Sequence, residues 1–177
     1  MRKILFAISL LATLTFALAV SAAAPANFAG TWELDKTKSQ GLSRGMQGAD
    51  SVQWIITQDA KTISIDTKIT GGDMAGGGGG GGRGPGGAMG PRSYNLDGSE
   101  TSGEMGPSKF TRKAKWSSDG ATLELSQNST FNGPNGEVTS TSTDKLQLSG
   151  DGKVLTATRH SESPRGPQDS TLVFNKK

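Results

Sequence analysis

Phe28-Ala29-Gly30-Thr31-Trp32-Glu33-Leu34 decides the fold of this chain. Phe28, Gly30, Trp32 and Leu34 alternate with Ala29, Thr31 and Glu33, the two-residue period of a strand with one dry face and one wet face. Similar runs follow to the C-terminus. Val52, Trp54 and Ile56 alternate with polar residues over 51–58, and Ile63, Ile65, Thr67 and Ile69 do so over 61–69. Only Asp59-Ala60 separates these two runs, so they form an antiparallel hairpin. Tyr94 and Leu96 mark a short strand. Phe110, Arg112, Ala114 and Trp116 then share a face opposite Lys109, Thr111, Lys113 and Lys115. After the turn residues 117–120, Leu123, Leu125, Gln127 and Phe131 face one way. Gly133-Pro134-Asn135-Gly136 reverses the chain into Val138, Leu146 and Leu148. A second turn at 149–152 leads to strands over 154–161 and 169–175. About nine strands, with no helical period after residue 23, predict an all-β antiparallel up-and-down meander that closes into a barrel.

Two segments stand outside this pattern. Residues 1–23 read as an export signal: Arg2 and Lys3 begin it, 4–20 are apolar, and Ser21-Ala22-Ala23 supplies a small-residue cleavage site. The apolar run is shorter than the ~20 residues of a spanning helix. The reading is therefore a signal peptide cleaved after Ala23, no transmembrane helix thereafter, and a secreted or periplasmic protein. Residues 71–91 hold half of the chain's 26 glycines, including an unbroken run over 76–82. Such a segment has almost nothing to bury, so backbone entropy keeps it disordered. Strand signals resume at once beyond it, which makes it an insert within one domain spanning 24–177.

Composition excludes several kinds of chemistry. The formal net charge is +3, and losing Arg2 and Lys3 leaves the mature chain near +1, too close to neutral to imply nucleic acid or another polyanion. No cysteine is present, which excludes disulfides, thiolate metal sites, a cysteine nucleophile and a lipidated N-terminal cysteine.

The opening residues 28–34 resemble the first strand of fatty-acid-binding proteins and the Gly-x-Trp signature of lipocalins, and the hairpins after them resemble the meander of both. The chain is also similar to small exported bacterial proteins with a Gly-Thr-Trp opening. The resemblance implies a ligand-enclosing barrel whose floor is closed by Gly30 and Trp32 with a basic side chain packed on the indole. Arg159 is the candidate for that role, one strand earlier than in lipocalins. Two departures stand out. Residues 35–50 are too short for the helical lid of fatty-acid-binding proteins. The chain also ends Leu172-Val173-Phe174-Asn175, without their carboxylate-binding Arg-x-Tyr.

Trp54, Arg112 and Trp116 are the candidate ligand-binding residues, near the barrel mouth where the glycine insert would form a loose cover. Arg112 shares its face with Phe110, Ala114 and Trp116, so its guanidinium points inward. There it either forks a ligand carboxylate or phosphate, or pairs with a buried acid such as Asp144. His160 is the only histidine and falls on the outward face with Thr156 and Thr158. A one-residue register shift would turn it inward as a haem ligand. Gly41-Leu42-Ser43-Arg44-Gly45 matches the spacing of a serine-hydrolase elbow but is followed by a strand. Asn128-Ser129-Thr130 is a glycosylation sequon on the outward face. No metal ligand set, cofactor motif or catalytic constellation stands out, so catalysis is not expected. The leading expectation is a barrel binding a small apolar or amphiphilic ligand. The alternatives are an envelope interaction module without a small-molecule site and an outer-membrane barrel.

Overall fold

A computed structural model describes residues 24–71, 90–106, 108–133 and 136–177. The expected signal and most of the glycine-rich insert lie outside these residues. Ten strands are present: β1 (Gly30–Leu34), β2 (Ser51–Gln58), β3 (Thr62–Thr70), β4 (Arg92–Asn95), β5 (Thr101–Met105), β6 (Ser108–Trp116), β7 (Thr122–Gly133), β8 (Gly136–Leu148), β9 (Val154–Ser163) and β10 (Gly166–Lys176). They form one sheet in the order β4-β3-β2-β1-β10-β9-β8-β7-β6-β5, and every pairing is antiparallel. The pairing of β1 with β10 rolls the meander into a barrel. It stops short of full closure, because β4 and β5 are the two ends of the sheet and no ladder joins them among the described residues.

The alternation read from sequence sets the inside and the outside. Trp32, Leu34, Val52, Trp54, Ile56, Ile63, Ile65, Tyr94, Ala114, Leu123, Leu125, Leu146, Leu155, Ala157, Leu172 and Phe174 are buried in a single core. One end of the barrel is plugged by the chain just before β1. Ala26 N–H donates to the Gly120 carbonyl, and Gln58 holds both Phe28 N–H and the Ala26 carbonyl. Phe28 thereby stacks on Trp116 with ring centroids 6.0 Å apart, and its carbonyl accepts the Trp32 indole N–H at 2.8 Å.

The basic residue over Trp32 is not Arg159. The Lys176 ammonium lies 5.2 Å from the Trp32 ring centroid, because β1 and β10 pair with Trp32 opposite Lys176. Arg159 is drawn instead to a buried carboxylate. Gly30 is required by the same arrangement: its φ is +141°, and a Cβ there would meet Lys176 Cε at 3.1 Å.

Two elements depart from the sequence expectation. The polar stretch after β1 contains one short helix, α1 (Arg44–Gly48), N-capped by Ser43, whose Oγ accepts from Met46 N–H. Ser43 of the elbow-like motif thus serves as a cap. The strand beyond the nine expected, β5, has no apolar alternation. It forms as an edge strand against β6, and Gly103 sits under the Phe110 ring, where a Cβ would come within 2.5 Å of the ring.

Gly30→Ala places a side chain in a backbone region that L-residues rarely adopt. It should cost about 1–3 kcal/mol, read as a lower urea midpoint with an unchanged denaturant slope.

Candidate ligand-binding site

Above the apolar plug, the barrel interior carries a belt of polar side chains. Arg92 comes from β4, Arg112 from β6, Gln127 from β7, Asp144 from β8 and Arg159 from β9. Each lies on the inward face of its strand, in register with apolar residues of the core. The pairings Asp144 with Arg159 and Arg112 with Gln127 put neighbours directly opposite one another.

Asp144 is 2% exposed. Arg159 forks it, with Nε to Oδ1 at 2.5 Å and Nη2 to Oδ2 at 2.8 Å. Arg92 reaches across the barrel to Oδ2 at 3.3 Å, its guanidinium 5.9 Å from the Trp54 ring centroid. Burial alone would raise the Asp144 carboxyl pKa, but the hydrogen bonds and charge of Arg159, with Arg92, hold it below its ordinary value. Arg159 is subject to the converse balance: burial disfavours its charge, and Asp144 more than restores it.

Arg112 has no such partner. It is 5% exposed and donates from Nε to Gln127 Oε1 at 2.8 Å. Its guanidinium lies 3.9 Å from the Phe110 ring centroid and 5.9 Å from that of Tyr94. Among the described residues no carboxylate lies within ion-pair distance of it, and its two Nη groups make no protein hydrogen bond. Burial is the largest cause pulling its pKa down, Tyr94 opposes that, and the charge of Arg92 adds to it. Three guanidinium groups thus share one carboxylate inside the barrel, and the surplus charge resides on Arg112.

Among the described residues two buried polar side-chain atoms are also without a partner: Thr101 Oγ1 and Trp54 Nε1. Thr101 is directly opposite Arg112 in the β5–β6 register. Each unsatisfied group costs about 1–3 kcal/mol. Beyond the belt, away from the plug, the inward face turns to small hydroxyl residues. Thr67, Ser129, Ser140, Ser142 and Ser161 are only half-buried although they face inward, and Phe131 near the far end of β7 is 40% exposed. That end of the interior is therefore lined by polar side chains that keep part of their exposure.

Trp116 is not part of this group. It lies four residues from Arg112 on the same strand, about 13 Å at strand rise, packed on Phe28. There it lines a separate cleft of about 1020 Å³ with Pro25, Gln58, Lys61 and Leu96. His160 is exposed and outward as expected; its Nδ1 lies 2.6 Å from Asp169 Oδ1. The Asp169 hydrogen bond, then that of Glu162, raises its pKa. Asn128 is exposed.

No protein-family model matches the chain, and no curated protein matches it. The structure is similar to the crystal structure of zebrafish ileal bile acid-binding protein complexed with cholic acid, with a TM-score of 0.51 at 14% identity. The match covers 85% of this chain and 98% of that one. The fold is a fatty-acid-binding-protein-like barrel. In this barrel the helical lid expected to be missing is represented, among the described residues, by the five-residue α1.

Trp54 and Arg112 were legible as inward residues from alternation alone. Arg92 shares a face with Tyr94 two residues on, a signal present in the sequence. Thr101 offered none, because the strand that carries it has no apolar period.

The Asp144 network carries a pH signature. A carboxyl held below its ordinary pKa of about 3.9 contributes stability that is fully present above that value. The contribution is lost as pH falls through the lowered native pKa. Asp144→Asn should cost about 3–5 kcal/mol at pH 7, because it leaves two buried guanidinium groups without a counter-charge. It should also flatten acid-side loss of stability in urea titrations between pH 5 and pH 2.

Proposed function

We propose that this barrel binds a small amphiphilic acid, with the anionic group on Arg112 and Thr101 and the remainder in the interior toward the hydroxyl-lined end. The observation that carries this reading is the buried guanidinium of Arg112 without a carboxylate partner among the described residues. A buried cation is normally neutralised by a partner within the protein. Here the complementary charge would come from the ligand. The free Nη pair offers the planar fork that matches a carboxylate or phosphate. Phe110 and Tyr94 supply apolar walls, as expected for a site taking an amphiphile. Cholic acid, the ligand of the zebrafish protein, is of this chemical class. The belt holds no arrangement of nucleophile and base, so the reading is of binding and not catalysis.

The test separates a ligand-binding arginine from a structural one. Arg112→Met removes an uncompensated buried charge, so the thermal midpoint of the free protein should stay level or rise. Affinity for dodecanoate, measured by titration calorimetry, should fall about tenfold or more. A lower midpoint with unchanged affinity would assign Arg112 to structure.

We also propose that the protein is exported, supported by the charged start, apolar run and small-residue site of residues 1–23. N-terminal sequencing of protein recovered from a bacterial periplasm should begin at Ala24. An N-terminus at Met1 in the cytoplasm would overturn this.

A further inference from the structure

We infer that the ligand carries a second, uncharged hydrogen-bond acceptor, a carbonyl or hydroxyl oxygen apart from its anionic group, and that Trp54 Nε1 recognises it. This rests on the anion-binding reading above and narrows its ligand class. An indole N–H can only donate. Trp54 Nε1 is buried and has no partner among the described residues, whereas the neighbouring indole of Trp32, opposite it in the β1–β2 register, is satisfied by the Phe28 carbonyl at 2.8 Å. Of two adjacent tryptophans one donor is satisfied and the other is not.

Position adds to the argument. Trp54 borders the plug, opposite Trp32, on the side facing the belt. Its ring packs on Phe174 with centroids 4.4 Å apart and is approached by the Arg92 guanidinium at 5.9 Å, which places it beside the charged belt. It stands on β2, across the β4–β5 gap from Arg112 on β6. One oxyanion held by Arg112 and Thr101 leaves the Trp54 donor unanswered. A ligand satisfying both regions needs an acceptor in its body as well as an acid at its end. The hydroxyl-rich inward face beyond the belt, including Thr67 opposite Trp54 in the β2–β3 register, suits such a body better than a bare alkyl chain.

The experiment compares three acids of similar length on the mature protein: dodecanoate, N-nonanoylglycine and ω-hydroxydodecanoate. At least one of the two acceptor-bearing acids should bind about tenfold tighter than dodecanoate. It should also shift the Trp54 indole N–H resonance in a ¹H–¹⁵N spectrum, where dodecanoate does not. Trp54→Phe should abolish that advantage, so that the variant binds the three acids with affinities within about twofold of one another. If the variant does not fold, the indole resonance of the unmodified protein decides alone. Equal binding of all three acids, or an unmoved Trp54 resonance, would overturn the inference while the anion-binding reading stands. Binding of none of them would overturn both.

Discussion

Inside this barrel one carboxylate faces three guanidinium groups, and the character of the site follows from how that mismatch is resolved. Asp144 and Arg159 are opposite one another on adjacent strands, so their forked contact forms without distortion of the ladder. Arg92 adds a second hydrogen bond to Oδ2 from across the barrel. Such a network is favourable only when every member is satisfied, since the desolvation cost of each ion is several kcal/mol. No ion pair joins Arg112 to Asp144. Arg112 is left with a neutral amide and two aromatic faces.

The same network ties together parts of the sheet that the backbone does not. β4 is four residues long and among the described strands is paired with β3 alone, and it borders the gap where the sheet fails to close. Arg92, its first residue, reaches the far wall. An edge strand of this length has little stability of its own, so the cross-barrel contact helps to set the shape of the opening as well as its charge.

Packing divides the interior into two halves. Around the plug, Phe28, Trp32, Leu123, Leu146, Leu155 and Phe174 are fully buried and supply most of the apolar burial. Beyond the belt, serines and threonines replace them. The apolar half supplies the packing that stabilises the fold. The charged belt lies between it and the hydroxyl-lined half.

The sequence by itself determined the strand pattern and the inward direction of Trp32, Trp54 and Arg112. These follow from a two-residue period, which is local. It also placed His160 and Asn128 outside by the same period. Only the tertiary structure decided which inward basic residue meets which partner. Arg159 and Lys176 were both available to Trp32, and the β1–β10 register placed Lys176 there, while the β8–β9 register gave Arg159 the carboxylate. Trp116 shares a face with Arg112, yet strand rise separates them, and the packing of Phe28 holds Trp116 at the plug. β5 was invisible because it is defined by its partner strand and by the ring over Gly103, not by a pattern of its own. Alternation specifies a face, and a face is a one-dimensional property of the chain. Pairing, charge balance and an unsatisfied donor are properties of residues brought together from distant strands, and they exist only once the sheet has rolled up.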